Sequence, residues 1–158
     1  MNAAPSIDDI DKQILSLLQQ DASISVTKLA KQVGLSHSPC WLRLKRLARL
    51  GIIKKRVAIL DPHKLGLGTT VFVSIQIGSH SREDLAQFIK EVAAMDEVLE
   101  FHRLAGEVDF GLRVVVADTA AFDALYRRLV GLIPMKAVTS RFVLESIKSE
   151  TAVPVPCG

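Results

Sequence analysis

Cysteine is scarce in this chain. Cys40 and Cys157 are the only two among 158 residues, too few for the disulfide framework that staples small secreted domains. Histidine is hardly more frequent. His37 and Cys40 stand at i, i+3, but no third or fourth ligand accompanies them, so a small buried Cys is the simpler reading and no metal is expected. No apolar run approaches the roughly 20 residues that a membrane helix requires. The opening MNAAPSIDDIDKQIL has neither a basic n-region nor an unbroken apolar stretch, so no signal peptide is expected. A cytoplasmic protein with no membrane partner follows. Catalytic signatures are missing too: there is no GxSxG, no Ser/His/Asp set and no Gly-rich phosphate loop. Glu107 or Asp109 could serve as an acid or base with His102 nearby, but without a nucleophile or a metal set an enzyme is the weakest reading, and no cofactor is expected.

One further absence is local. From Arg43 to Arg56 there are seven basic residues and no Asp or Glu. An ordinary surface helix mixes the signs to gain i, i+4 pairs. The same asymmetry runs through the whole chain. Residues 1–64 hold eleven Lys and Arg against five Asp and Glu, a net of +6, whereas residues 65–158 hold nine against twelve, a net of −3. A basic N-terminal part suits a polyanion, and the acidic remainder is left for another task.

The basic stretch carries a pattern. In VTKLAKQVGLSHSPCWLRLKRLARL (Val26–Leu50), Leu29, Ala30 and Val33 give a short first helix an apolar face, and Gly34 stands where the chain must turn. Ser36 or Ser38 can cap the next helix, with Pro39 near its first turn. Cys40, Leu44 and Leu47 recur at i, i+4, i+7 as a buried stripe. The other side presents Ser38, Trp41, Leu42, Lys45, Arg46 and Arg49, with Arg43 on the flank. Two short helices, a Gly turn and a basic outer face are the parts of a helix-turn-helix. A helical hairpin with a solvated basic face is the alternative, and the unrelieved charge favours DNA phosphates over it.

Around this unit the remaining elements can be read in order. Residues 1–6 read as a loose end. Ile7, Ile10, Ile14, Leu15, Leu17 and Leu18 predict a helix over about 8–20, with Asp8, Asp9 and Asp11 where the helix dipole favours anions. Gly51 stops the recognition helix, and KKRVAIL (Lys54–Leu60) alternates as a strand, a wing whose cations would face phosphate. Thr70–Ile77 alternates as a half-buried strand. A helix over Ser81–Met95, strands over Val98–Leu104 and Val108–Val116, a helix from Asp118, and a strand over Val138–Ile147 complete a β-α-β-β-α-β order. The expected fold is α+β: an N-terminal winged helix-turn-helix domain (residues 1–53), a linker strand and hinge (54–69), a C-terminal ferredoxin-like βαββαβ αβ-sandwich (70–148), and a flexible tail (149–158).

In the second domain the turn LAGEVDFGL (Leu104–Leu112) sets Gly106 beside Glu107 and Asp109. A free amino acid needs donors for its carboxylate and a carboxylate for its ammonium, and this turn could supply both. On the residues alone, a hairpin with solvated acids accounts for it as well.

These stretches together resemble the Lrp/AsnC family of leucine-responsive, or feast/famine, regulators. The likeness runs from Ile7 to Pro154. It rests on IDDIDKQILSLLQQDASIS, VGLSHSPCWLRLKRLARLGII, AILDPHKLGLG, AGEVDFGLRVVVAD and TSRFVLESIKSETAVP, of which GLS-x-SPC-x-x-R-x-x-RL is the most specific. The resemblance implies a sequence-specific DNA-binding regulator at the nucleoid. Its sandwich domains would form homodimers that assemble into octamers and hold a small-molecule effector, usually an amino acid, between dimers. The implied contacts to double-stranded DNA are Ser36, Ser38, Trp41, Arg43, Lys45, Arg46, Arg49, Lys54 and Lys55. The implied effector site is Leu104, Gly106, Glu107 and Asp109, completed by Thr139, Ser140 and Arg141 at the start of the last strand. Val108 departs from a usual aromatic, Gly111 from an apolar residue, and Ile133–Val138 lacks the Gly that commonly follows Pro. These departures keep a second expectation open, an architectural oligomer that compacts DNA without a working effector site.

Overall fold

A computed structural model of the chain describes residues 6–78 and 80–155. The chain forms two compact units. Of the loose end expected over residues 1–6, all but Ser6 lies outside the described residues, as does Cys157.

The first unit is built on three helices, α1 (Asp9–Gln20), α2 (Val26–Gln32) and α3 (His37–Arg49). Each begins where the sequence supplies a cap. Asp8 caps α1 by accepting from the Asp11 backbone N–H at 2.8 Å, and Asp11 returns a carboxylate oxygen to the Asp8 N–H at 3.2 Å. Ser25 caps α2 through the Lys28 N–H. Ser36, not Ser38, holds the cap position of α3, and its side chain makes no capping hydrogen bond. Gly34 turns the chain between α2 and α3 at φ +69°, and Gly51 ends α3 at φ +72°. Both angles lie in the left-handed region that only Gly enters cheaply. The helices close on Ile14, Leu15, Leu29, Ala30, Val33, Cys40, Leu44 and Leu47, so the stripe read from the sequence is the core of this unit.

Two expectations fail here. Lys54–Leu60 forms no strand and runs as an exposed, irregular segment. Its alternation of basic and apolar residues has no neighbouring strand to complete a ladder, so among the described residues there is no wing. Part of the segment expected as a flexible tail, Val153 and Val155, is held on this unit. The Gln19 side chain donates to the Val153 carbonyl at 3.0 Å and accepts from the Val153 N–H at 2.7 Å. Val155 packs on the core of the same unit, beside Leu15 and Leu18.

The second unit contains β1 (Thr69–Ile77), α4 (Arg82–Ala93), β2 (Val98–Arg103), β3 (Phe110–Val116), α5 (Thr119–Val130) and β4 (Met135–Phe142). The strands form one antiparallel sheet in the order β2-β3-β1-β4. This is the predicted βαββαβ arrangement. Its last strand is displaced: β4 begins at Met135, not Val138, and ends at Phe142, because a register shift at Gln76/Ile77 lets Met135 pair with Ile77 directly after Pro134. A second capping box, Ser81 with Asp84, opens α4, and Asp118 caps α5 through the Ala121 N–H. Val71, Val73 and Ile75 of β1 are buried with Phe88 and Val92 of α4 and Leu125 and Leu129 of α5. Phe88, Phe101 and Phe110 pack ring against ring, with centroids 5.2–6.0 Å apart. The alternate residues of β1 point the other way, and Phe72 is 47% exposed. That sheet face is uncovered.

Candidate nucleic-acid interface and effector site

Helix α3 sorts its residues by face. Cys40, Leu44 and Leu47 are buried, and burial raises the Cys40 thiol above its ordinary pKa, which makes it a poor nucleophile or metal ligand. Ser38, Trp41, Leu42, Lys45 and Arg49 are exposed on the opposite side. The Lys45 ammonium lies 4.5 Å from the Trp41 ring centroid, a cation–π contact that holds both side chains on the outer face. Lys54 and Lys55 are exposed in the irregular segment that follows, and Ser36 is exposed at the helix start.

Arg43 and Arg46 behave differently. Both face α1, where the Asp11 carboxylate is fully buried between them. Arg43 Nη1 donates to Asp11 Oδ1 at 2.9 Å and to Asp8 Oδ2 at 2.6 Å, and Arg46 Nη2 donates to Asp11 Oδ2. Two of the seven cations in the acid-free stretch are therefore matched by acids some 35 residues earlier. The Asp11 N–H and the Arg43 guanidinium hold the Asp8 carboxyl below the usual carboxylate range. The hydrogen bonds to Asp8 and Asp11 raise Arg43 above its ordinary value. Sequence reasoning placed Asp8 and Asp11 at a helix start and missed this partnership. The signal was present as two acids at i, i+3 in a domain otherwise rich in cations.

In the second unit, the turn between β2 and β3 is fastened to the end of β1. Asp109 donates its N–H to the Ile75 carbonyl at 3.0 Å and accepts from the Ile77 N–H through its carboxylate at 2.9 Å. The Gln76 side chain donates to the Glu107 carbonyl. Gly106 takes φ +120° with open space around it, and Glu107 is exposed. Leu104, 46% exposed, lies across Gly111, where an added Cβ would come within 3.1 Å of Leu104 Cδ1. The departure at position 111 is thus filled from the turn itself.

Thr139, Ser140 and Arg141 lie in the second half of β4, not at its start. Thr139 pairs with Ser74, and Arg141 Nη1 donates to the Ser74 hydroxyl at 3.1 Å on the uncovered face. Ser140 pairs with Val73 and shares its side of the sheet, the helix-covered one. The structure therefore brings the turn to one edge of β1 and Thr139 and Arg141 to the other, and turns Ser140 away. Gln76 and Ser74, which link the two sets, were not singled out by the sequence. On the same face the Arg113 guanidinium, 2.7 Å from Glu100, holds that carboxyl below its ordinary range, with His102 3.5 Å away on its far side.

Two family models match the chain. Residues 7–48 match the AsnC-type helix-turn-helix domain and residues 70–153 the Lrp/AsnC ligand binding domain. The chain belongs to the Lrp/AsnC family. It is 48% identical over 150 residues to the DNA-binding transcriptional activator DecR of Escherichia coli K12, covering 94% of this chain and 99% of that one. It is 43% identical to the glutamate uptake regulatory protein of Zymomonas mobilis, over 95% of this chain and 92% of that one. A crystal structure of an AsnC family regulator from Agrobacterium tumefaciens superposes with a TM-score of 0.89 at 47% identity, covering 94% of this chain and 97% of that one. A Neisseria meningitidis transcriptional regulator solved with L-Met gives 0.89 at 32% identity, with the same coverage. The family, the helix-turn-helix and the ferredoxin-like domain expected from the sequence are therefore established: this Lrp/AsnC member is a DNA-binding transcriptional regulator with a ligand-binding domain.

Proposed function

We infer that the protein regulates transcription in response to an amino acid, recognising specific operator sequences as an oligomer at the nucleoid, without enzymatic activity. The observation that carries this reading is the outer face of α3, where Trp41, Lys45 and Arg49 stand exposed opposite a buried stripe. Such a face suits a major groove, with Lys54 and Lys55 on the adjoining backbone. The uncovered sheet face with Phe72 supports dimerisation through the second unit. Dimers would then present paired α3 helices to half-sites roughly 34 Å apart or a multiple of that. The domain division proposed is residues 1–53, 54–69 and 70–148, with the C-terminal segment returning to the first unit.

For the effector, support comes from the L-Met complex of the N. meningitidis relative and from the chemistry of the turn. Glu107 is the exposed carboxylate for an ammonium, and the Gly106 N–H and Arg141 are donors for a carboxylate. Asp109 already serves the Ile77 N–H, which makes it the brace of the turn. A thermal-shift screen against the twenty amino acids tests the reading. A ligand at 100 times its Kd adds about 2.7 kcal/mol when it binds only the folded state. One clear hit that is weakened by Glu107→Gln would support the sensor. No hit at millimolar concentration would favour the architectural alternative, for which the departures at Val108 and Gly111 speak.

A further inference from the structure

We propose that Leu42 is a specificity-determining residue of the DNA interface, reading the 5-methyl group of a thymine in the major groove. Leu42 is 59% exposed, more than Trp41 at 43%. At 3.6 residues per turn it lies on the side of α3 directly opposite Cys40 and Leu44, both buried. Ser38, Lys45 and Arg49 flank Leu42 on one side and Pro39 and Arg46 on the other, so Leu42 occupies the centre of the outward face. Its two cationic neighbours on the other flank, Arg43 and Arg46, are drawn toward Asp11. The middle of the reading face is therefore an apolar side chain framed by cations, and Asp8, which shares a groove with it, is engaged by Arg43.

An aliphatic side chain pressed onto a base edge must match an apolar group. The major-groove edges of guanine, cytosine and adenine carry hydrogen-bonding atoms and no methyl group, and covering those atoms with a Leu would leave them unpaired. Thymine alone, in unmodified DNA, presents a methyl group in the major groove. A Leu at this position therefore selects T by contact and disfavours G and C by desolvation. The cationic residues around it supply affinity for any sequence, because phosphates carry no base identity.

The test uses the full-length protein. Wild type and Leu42→Ala are each used to select bound duplexes from a randomised DNA library. Thymines of the wild-type consensus are then replaced singly by uracil, which lacks only the methyl. Leu42→Ala replaces an exposed residue with the strongest helix former, and circular dichroism checks that the helices persist. The expected result is one thymine per half-site at which uracil weakens wild-type binding about fourfold, the worth of one buried methyl group. At that position the same replacement leaves Leu42→Ala unaffected, and the variant's selected sequences lose their preference for T. If every thymine tolerates uracil equally in both proteins, or the variant selects the wild-type sequence unchanged, Leu42 does not read DNA. If wild type selects no common sequence at all, the assignment fails together with the operator reading.

Discussion

Asp11 occupies a position that few carboxylates do, fully buried yet serving three donors: the Asp8 N–H and the guanidinium groups of Arg43 and Arg46. Removing one member of a buried ion pair typically costs 3–5 kcal/mol because the remaining charge is stranded. Here both arginines keep access to water, so the low end applies. Asp11→Ala should destabilise the helix-turn-helix unit by about 3 kcal/mol, measured by denaturant unfolding. Arg43→Ala should likewise appear first as a stability defect. Lys45→Ala, by contrast, should leave stability unchanged and lower DNA affinity while reducing the salt dependence of binding by about one unit of slope. Asp8 adds a pH dependence. Its folded-state pKa is depressed, so its contribution is fully present above the ordinary aspartate value of about 3.9 and is lost as pH falls through the lower folded value. Asp8→Asn should flatten that acid limb of the stability profile while leaving the neutral-pH arm parallel to wild type. None of this was legible from the acid-free stretch itself, because the compensating charges lie outside it. Local charge counting sees sequence neighbours, and helix packing decides which charges meet.

Among elements, those with strong periodicity were read correctly, for a physical reason. Cys40, Leu44 and Leu47 could be buried only if α3 formed, and Gly51 could end it because φ +72° costs other residues strain. Gly51→Ala should therefore cost about 1 kcal/mol, with open space around the Cβ leaving backbone strain as the sole cause. Leu47→Ala should cost about 2–5 kcal/mol by leaving a cavity, and thermal melting distinguishes the two. Where the sequence misled, the missing information was a partner. Lys54–Leu60 alternates like a strand, yet a strand requires a neighbour to satisfy its ladder. The limits of β4 depended on a register shift in β1 that no property of residues 135–142 announces. In the candidate effector site, Gly106, Glu107 and Asp109 were legible as a turn. Alternation along β4 would have separated Ser140 from Thr139 and Arg141 once the strand was placed, since neighbours in a strand face opposite sides.

On the scale of the whole molecule, the two matched domains, the βαββαβ order and the opposite charge of the two halves were all present in the sequence. The return of the C-terminal segment was not. Nothing in SETAVP signals a docking site, and the Gln19 side chain that receives it looks like any polar residue near a helix end. Removing residues 148–158 should destabilise the helix-turn-helix unit by about 1–2 kcal/mol, the worth of two exposed hydrogen bonds and one partly buried Val. Gln19→Ala should reproduce part of that loss without shortening the chain. Unfolding curves of the three proteins, followed by the fluorescence of the single Trp41, give the comparison.

The clasp between Gln19 and Val153 spans 134 positions of sequence. On the ribosome, the three helices emerge complete while the segment that finishes their unit has yet to be made. At roughly 5–20 residues per second, that interval is about 5–20 s. Throughout it, Leu15, Leu18, Ile52 and Ile53, which line the groove beside Val153 and Val155, face whatever else is in reach. The nascent DNA-binding unit thus spends its first seconds with this apolar groove short of the wall that Val153 and Val155 later supply.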